Sequence, residues 1–530
     1  MKRYISLLSV LLVATIGIGQ TTNDTINRMV LVESTYNPII VGASKHNFIP
    51  EEVKPSMNKE QIVYASENVD LTNFDREAQP AQAIELTTEK GTSGYAHLGY
   101  GNYNNLSGMA AYKWSFDTSN DLALKAHIDG WNGKLKLDDN TKWHSRYYDM
   151  GLNADYNIQL GNALLNAGAH ATHYTYNYLG GSSQNANDLG AYAALMGDVA
   201  DRYRYHATLS YNNFSYKNTL AENHIHGKAS LDVDLYDWGM ASVQISSDVL
   251  TYQGSEGYNN YFSLGITPQW IYRHKDFIFT TGFNMDFQGG KHVTHPMQFS
   301  PECSISYLPD NRFQALFTLN GGREVNTFSR LHELSPYWAS REQVRPTYTF
   351  MNAHLEGGVR IIEGLHLHLG GGYKILGDAL FESRMDTLGT TYTGITNHKA
   401  QVAILDAALS YTHKDLVTIA AKGTYHHWML KGDQALLARA PQLKIDVDAR
   451  VRIIPKLYAY TDLLMVTFAD TQIAARERSI SDWSLGANYA LNRHFSFFLD
   501  AHNLLNRRYS YYTGYPAQGF NILAGAIMKF

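Results

Sequence analysis

Regular alternation of apolar and charged residues over long stretches is the feature that most constrains this chain. Every odd position from Leu443 to Ile453 is apolar. The even positions between them all carry charge: Lys444, Asp446, Asp448, Arg450 and Arg452. Successive side chains of a β-strand point to opposite faces, so this pattern predicts a strand with one apolar and one polar face. Its length exceeds the five or six residues, approximately, of a usual strand and suits a strand that crosses a bilayer at a tilt.

Connections of two kinds alternate along the chain. Short turn signals occur at ten places: Asp117–Asp121, Gly161–Asn162, Asp198–Asp201, Tyr236–Asp237, His274–Lys275, Pro309–Asn311, Glu363–Gly364, His413–Asp415, Pro455–Lys456 and Asn492–Arg493. Longer polar stretches separate them at eleven places: Gly101–Asn105, Gly133–Trp143, Gly180–Asp188, Tyr216–Asn223, Gln253–Gly257, Gln288–His295, Asn326–Pro346, Gly377–Asn397, Lys431–Ala440, Ala469–Ser479 and Asn506–Pro516. Outer-membrane barrels alternate short periplasmic turns with longer extracellular loops. The pattern therefore predicts an all-β, antiparallel transmembrane barrel of about twenty-two strands, with both termini of the chain on the periplasmic side.

The barrel prediction must be distinguished from a propeller, and it must account for two prolines inside predicted strands. A regular repeat of turns also occurs in propellers, but a blade needs four short strands, whereas each repeat here holds two long ones. Pro268 and Pro301 fall inside predicted strands. Proline cannot donate a hydrogen bond to the strand ladder, so we expect β-bulges at both positions.

The first residues resemble a secretory signal. Lys2 and Arg3 precede an apolar run, and the small residues Gly17 and Gly19 favour cleavage before Gln20. This predicts a cleaved signal peptide over 1–19 and export to the cell outer membrane. The run is too short for a good membrane span, and no later apolar stretch could form a spanning helix. The single cysteine, Cys303, excludes an intramolecular disulfide framework.

Composition agrees with a membrane barrel and excludes other classes. Tyrosine is abundant at 37 residues, whereas only 18% of residues are charged. A mean hydropathy of −0.30 is compatible with lipid burial in a barrel, because only every second strand residue meets lipid. The formal net charge of −5 offers no basic footprint for nucleic acid.

Proline divides the chain into two regions. Pro38, Pro50, Pro55 and Pro80 lie near the start, and no proline follows until Pro268. Because strands exclude proline, we expect an extended N-terminal segment over 20–91, in the lumen or the periplasm, and the barrel over 92–530.

The C-terminal strand has the spacing of a barrel-assembly signal. Counting back by two from the last residue gives only apolar side chains: Phe530, Met528, Ala526, Ala524, Ile522 and Phe520. The outer face of this strand should meet outer-membrane lipid. A terminal Phe with this spacing resembles the signal that the bacterial barrel-assembly machinery recognises, so we expect that machinery as a partner during biogenesis.

Two stretches resemble the barrel of the TonB-dependent receptor family. The first reads Phe328-Ser329-Arg330-Leu331-His332-Glu333-Leu334, followed by Val344-Arg345-Pro346 and then Leu355-Glu356-Gly357-Gly358-Val359-Arg360. The second reads Asn503-Leu504-Leu505-Asn506-Arg507-Arg508-Tyr509, then Gly514-Tyr515-Pro516 and the final strand. The resemblance covers about 92–530. It implies a barrel of twenty-two strands that works in outer-membrane transport.

The resemblance does not extend to the plug domain of that family. Family members carry a globular N-terminal plug behind a TonB-binding segment, whereas only 20–91 precedes the barrel here. Energy coupling through TonB is therefore an open partner question. A barrel this wide also needs occlusion, by 20–91, by long loops, or by a partner lipoprotein or plug protein.

Candidate chemistry is limited to the lumen. His224 with His226, and His366 with His368, are i,i+2 pairs on one strand face. That spacing could hold a metal, but solvation in a wet lumen explains it as well, so we assign no metal site. The charged series Lys444, Asp446, Asp448, Arg450 and Arg452 is the candidate lumen lining; pairing between neighbouring strands is the alternative.

No spacing identifies a catalytic residue, and no cofactor motif is present, so the sequence indicates no enzyme. It predicts a receptor-like barrel that transports or admits a solute. The alternative is a non-transporting structural or accessory subunit of an outer-membrane protein assembly.

Overall fold

A computed structural model describes residues 93–530, apart from 118, 138, 201, 218, 255–256, 292, 294, 311, 341, 433 and 470–477. The predicted signal peptide over 1–19, the predicted segment over 20–91 and most of the predicted connection Ala469–Ser479 lie outside the described residues. They stay predictions.

The described chain forms one closed antiparallel barrel of twenty-two strands, which confirms the predicted fold class and strand number. The strands are β1 (Gly94–Gly101), β2 (Leu106–Ser115), β3 (Asn120–Lys136), β4 (Lys142–Leu160), β5 (Ala163–Asn177), β6 (Ser183–Val199), β7 (Tyr203–Tyr216), β8 (Ala221–Asp234), β9 (Met240–Gln253), β10 (Tyr261–His274), β11 (Phe277–Gly290), β12 (Met297–Tyr307), β13 (Phe313–Glu324), β14 (Trp338–Ala339), β15 (Thr347–Ile362), β16 (Leu365–Thr387), β17 (Thr390–His413), β18 (Val417–Leu430), β19 (Pro441–Ile454), β20 (Leu457–Phe468), β21 (Ile480–Ala490), β22 (Phe495–His502) and β23 (Asn521–Lys529). β14 is a two-residue strand that is not one of the twenty-two strands of the barrel wall.

Each wall strand pairs antiparallel with its neighbours in sequence, and the first and last strands close the ring. The closing register runs from Tyr95 opposite Lys529 to Gly101 opposite Leu523. Just beyond this register, Gly94 and Phe530 exchange two backbone hydrogen bonds of 2.7 and 3.0 Å. A closed ring leaves no unpaired strand edge, which the hydrocarbon layer requires.

The two ends of the barrel differ. All ten predicted short turns lie at one end, which we call the base, together with Gly94 and Phe530. The other end, which we call the mouth, carries the remaining connections. In barrels of this kind the short turns face the periplasm and the long connections face outside the cell.

Alternation sorts side chains between the lumen and the outer surface. On β8, Ile225 and Leu231 are exposed on the outer face, whereas Glu222 on the opposite face is buried. On β17, Leu405 is exposed while Asp406 is buried. The apolar set therefore faces lipid and the polar set faces the interior. Among the described residues, no helix has the length and apolar character needed to cross a bilayer.

Two local predictions were wrong. The polar stretch Gly377–Asn397 is a hairpin rather than a loop, because β16 and β17 stay paired as far as Thr387 opposite Thr390. This extension contains several threonines and a tyrosine, which have polar side chains but favour strands. Pro268 and Pro301 cause no bulge, because the registers through both positions do not shift.

Apolar cores occur only near the mouth among the described residues. The four clusters of buried apolar side chains combine the upper ends of wall strands with the connections between them. A 3₁₀ helix, Gln434–Arg439, belongs to one of these cores. The fold thus places a packed apolar structure across one end of a polar lumen.

Candidate functional site

The connection between β13 and β15 folds back onto the mouth. It contains helix α1 (Phe328–Leu334) and β14. The Oγ1 atom of Thr327 accepts a hydrogen bond from the Arg330 amide at 3.3 Å, so Thr327 is the N-cap of α1. Phe328, Leu331 and Leu334 are all buried on one helix face. This face packs into the apolar core that lines the mouth.

Helix α1 is held to the wall by hydrogen bonds as well as by packing. The Phe328 amide donates to the Glu222 carboxylate on β8 at 2.8 Å. The Ser329 hydroxyl donates to the Asp188 carboxylate on β6 at 2.7 Å. These two strands lie on either side of β7, so the helix spans a sector of the wall.

The segment after the helix reaches the opposite side of the mouth. β14 pairs parallel with β17, at Trp338 opposite Thr393. The Thr393 amide donates to the Tyr337 carbonyl at 2.9 Å. The indole of Trp338 donates to the Tyr216 hydroxyl on β7 at 2.5 Å. One segment therefore connects β7 with β17.

The last long connection meets this segment at the centre. The rings of Tyr337 and Tyr515 stack with centroids 3.6 Å apart and planes 8° apart. The Tyr515 hydroxyl donates to the Thr391 carbonyl near the tip of the long hairpin. The Thr391 amide in turn donates to the Leu179 carbonyl, on the connection between β5 and β6, at 3.0 Å. Two connections, 325–346 and 503–520, thus pack together with the end of the long β16–β17 hairpin, 378–398. We call these three segments the cap.

A buried arginine fixes the connection 503–520. The guanidinium of Arg439 donates to the carbonyls of Ser510 and Tyr511 at 3.0 and 2.7 Å. It also donates to the Thr513 hydroxyl at 2.9 Å. The guanidinium carbon lies 4.7 Å from the centroid of the Phe468 ring. These bonds hold the backbone of 503–520 in place beneath Tyr515.

Burial in the cap changes the acid–base behaviour of two groups. Desolvation raises the pKa of the Tyr337 phenol well above its ordinary value. Burial lowers the pKa of His332 to about 3. The His332 ring lies among aromatic rings, with centroids 4.3 Å from Tyr174 and 5.2 Å from Phe214. Both groups are therefore neutral near pH 7 and belong to an apolar core.

A polar chamber lies directly below the helix. Its volume is about 520 Å³. Ser329 and Glu333 line it from the helix, while Asp155, His170 and Asp188 line it from the wall. Lys125 is the one lysine or arginine of the lining. The chamber therefore carries an excess of carboxylates and suits solutes with positive charge or hydrogen-bond donors.

Further around the lumen, acidic side chains contact arginine or histidine side chains on other strands. The Arg323 guanidinium is buried, 3.6 Å from Asp248 and 3.4 Å from Asp286. His354 and Asp406 form a second buried pair at 3.3 Å. Pairing of this kind makes a charge tolerable in a place where an isolated charge would be costly.

The structure places the predicted lumen-lining series on one face of β19. The register puts Lys444 opposite Thr424, which lies opposite the buried Asp406. Cross-strand partners share a face, so the series faces the interior. Their role in lining a solute path stays a prediction.

The members of that series have different neighbours. Asp446 lies opposite Lys422, and Asp448 lies opposite Asp462. Arg452 forms an ion pair with Asp415 at the base. The neighbouring strands thus supply charged partners of both signs.

The predicted assembly-signal residues lie on the outer face of the barrel. All six are exposed: Phe520, Ile522, Ala524, Ala526, Met528 and Phe530. Recognition by the assembly machinery stays a prediction.

The two predicted histidine pairs differ. His224 and His226 both contact Asp248, which sequence reasoning missed. The His368 ring lies 3.8 Å from the Glu356 carboxylate on β15, and among the described residues this pair belongs to no group of three candidate metal ligands. Sequence reasoning also missed Tyr337 and Arg439, because their roles depend on contacts between distant connections.

Solved structures to which this barrel is similar include transporters and a receptor. The copper transporter OprC superposes with a TM-score of 0.63 at 12% identity, covering 84% of this chain and 81% of that chain. The apoprotein form of the FrpB iron transporter from Neisseria meningitidis (F5-1 variant) gives 0.66 at 10% identity, covering 84% and 82%. The siderophore receptor PiuA from Acinetobacter baumannii gives 0.61 at 10% identity, covering 84% and 82%.

No protein-family model matches the sequence, and no curated protein matches it either. The structural likeness therefore defines the fold. The described chain has the twenty-two-strand barrel fold of the TonB-dependent outer-membrane receptors.

Proposed function

We propose that this protein admits a small polar solute across the outer membrane, and that the cap closes the path at the mouth. The observation that carries the proposal is the polar chamber beneath a packed apolar cap. A structural scaffold has no need of a carboxylate-rich chamber beneath an apolar cap. The fold shared with transporters supports transport over the accessory-subunit alternative.

The chamber defines the class of solute. Asp155, Asp188 and Glu333 outnumber Lys125 on its lining. Fixed charge of one sign along a pore favours passage of the opposite sign. The preferred solutes are therefore cationic or rich in hydrogen-bond donors, and small enough for the chamber.

We further propose that the charged face of β19 lines the lower part of the path. Its members are Lys444, Asp446, Asp448, Arg450 and Arg452, which alternate with outward apolar residues. Segment 20–91 would occupy the lumen or the periplasm below it, where TonB or a partner lipoprotein could engage it. Deletion of 21–91 should then raise the single-channel conductance of a variant whose cap has been opened.

Solute uptake into reconstituted liposomes tests the transport proposal. The wild type is compared with Tyr337→Ala, which removes the central ring of the cap, and with Phe497→Ala, which changes an outward-facing ring. We expect Tyr337→Ala to admit a small organic cation faster than an anion of the same size, and Phe497→Ala to behave as the wild type. If liposomes containing folded Tyr337→Ala protein stay closed to both, transport is contradicted.

A further inference from the structure

Three candidate metal ligands from two neighbouring strands converge inside the barrel. His224 and His226 lie two residues apart on β8, and Asp248 lies on β9 directly opposite His226. The Nε2 atom of His224 and the Nδ1 atom of His226 lie 2.9 and 2.8 Å from the same carboxylate oxygen, Oδ1 of Asp248. The three ligand atoms all lie within 4.8 Å of one another. One small ion could therefore contact all three.

Other histidine–carboxylate pairs in the lumen lack this convergence. His127 faces Asp149 at 3.2 Å, and His354 faces Asp406 at 3.3 Å, and among the described residues neither pair has a third candidate ligand within range. Among the described residues, the group His224, His226 and Asp248 is the one with metal-binding geometry. Simple solvation of lumen histidines does not require two rings to share one oxygen atom.

Neighbouring groups orient the carboxylate from its other side. The Ser263 hydroxyl donates to Oδ2 of Asp248 at 3.1 Å, and the Arg323 guanidinium lies 3.6 Å from the same atom. These contacts fix the carboxylate and leave Oδ1 directed at the two rings. Hydrogen bonds to a ligating carboxylate are a common feature of protein metal sites.

The cluster is both shielded and reachable. The Asp248 side chain is 10% exposed and that of His226 is 34% exposed, so water in the lumen reaches the rings. Glu222, two residues before His224 on the same face of β8, holds the Phe328 amide of helix α1. At about 3.4 Å of rise per strand residue, the cluster lies just below the cap.

We propose that His224 Nε2, His226 Nδ1 and Asp248 Oδ1 bind a divalent transition-metal ion of the zinc type. Two imidazoles and one carboxylate suit such an ion, with water in the fourth position. Oxygen-seeking ions such as Mg²⁺ fit less well. Each neutral imidazole keeps its proton on the nitrogen that faces away, so the two ring lone pairs and one carboxylate bind the ion. The site does not depend on transport.

Cobalt spectroscopy on the detergent-solubilised full-length protein tests this site. Co²⁺ in a four-coordinate site gives an intense visible absorption band, and Zn²⁺ should displace it. We expect saturable binding of one Co²⁺ per chain, weakened at least tenfold in His226→Gln and in Asp248→Asn. The matched control is His127→Gln, which removes a lumen histidine from a single pair and should leave binding unchanged.

Folding of each variant is verified by its heat-dependent migration on a denaturing gel. Because Asp248→Asn also affects Arg323, His224→Gln serves as a second variant that leaves the carboxylate in place. His226→Cys should bind Zn²⁺ more tightly than His226→Gln, since a thiolate is a good zinc ligand. Absence of saturable binding to the wild type would overturn the proposal. Binding that survives in folded His224→Gln and His226→Gln protein would also overturn it.

Discussion

The mouth and the lower wall of this barrel are stabilised in opposite ways. At the mouth, Phe328, Leu331 and Tyr337 are almost fully buried in apolar clusters. Lower in the wall, the outward side chains Leu369 and Leu405 are more than half exposed in the isolated chain, and the interior carries charge. The wall thus relies on its hydrogen-bonded ladder, on paired charges and on lipid.

The contrast separates the part that must persist from the part that could open. A strand ladder in lipid has no alternative partners for its backbone groups. The cap, in contrast, is held by side-chain packing and by a few hydrogen bonds between connections. Changes in the cap should therefore affect local opening, whereas changes in the paired charges of the wall should affect unfolding of the whole barrel.

The largest effect is expected for Tyr337→Ala. Its ring stacks on Tyr515 and has edge contacts to Trp143 and Tyr176. Loss of a buried aromatic side chain costs about 3 to 5 kcal/mol. Hydrogen exchange should show protection of 325–346 and 503–520 falling by roughly two orders of magnitude or more, with the wall strands unchanged. Equal loss of protection in the cap and in the wall would contradict a separable cap.

A comparable cost, of a different kind, is expected for Arg323→Met. The substitution leaves the buried carboxylates of Asp248 and Asp286 without their shared cation. Breaking a buried ion pair on one side costs about 3 to 5 kcal/mol. The concentration of guanidinium chloride at the midpoint of whole-barrel unfolding should fall. The protection of cap amides from hydrogen exchange, relative to that of wall amides, should stay the same. If the cap of this variant loses more protection relative to the wall than the cap of the wild type, the division between cap and wall is contradicted.

Acid should weaken the cap through His332. Its pKa is about 3 in the fold and near 6.5 in an opened cap, so the opened state binds more protons below pH 6.5. The cap's stability is therefore complete above that pH and is lost as the pH falls, by about 2 kcal/mol at pH 5. This loss is measured as the hydrogen-exchange protection of 325–346 relative to that of β20 at each pH. His332→Phe should remove the pH dependence; its persistence would assign the effect to another group.

The smallest of these effects is expected for Thr327→Ala. The substitution removes the N-cap hydrogen bond to the Arg330 amide, which costs about 1 kcal/mol. Exchange at the first turn of helix α1 should accelerate by about fivefold, with no change in 503–520. Thr327→Ser keeps the hydroxyl and should exchange as the wild type.

Local chemistry predicted the wall well. Turns such as Gly161–Asn162 and Glu363–Gly364 are visible because glycine and asparagine tolerate the positive φ that a tight turn requires; φ is +61° at Gly161 and +78° at Gly364. Strand faces are visible because lipid and lumen select opposite residue types. The hairpin extension past Gly377 was missed because its polar side chains bond to the other two segments of the cap rather than to water.

The metal-binding group shows why sites are harder to predict. The pair His224 and His226 is visible in the sequence, but Asp248 becomes their partner only through the register of β8 and β9. That register depends on the conformation of a turn that includes Tyr236 and Gly239, both at positive φ. A shift of one residue would turn Asp248 to the lipid face. Tyr337 and Tyr515, far apart in the chain, give no local signal of their contact.

Single-channel conductance in planar bilayers tests the central claim most directly. One variant replaces 327–340 by a short Gly-Ser linker, and a second combines this replacement with deletion of 21–91, which should raise the conductance further. The account predicts that the full-length wild type is closed or nearly closed, and that the linker variant shows stable open levels with cation selectivity. A linker variant that folds yet stays as closed as the wild type would contradict closure of the path by the cap.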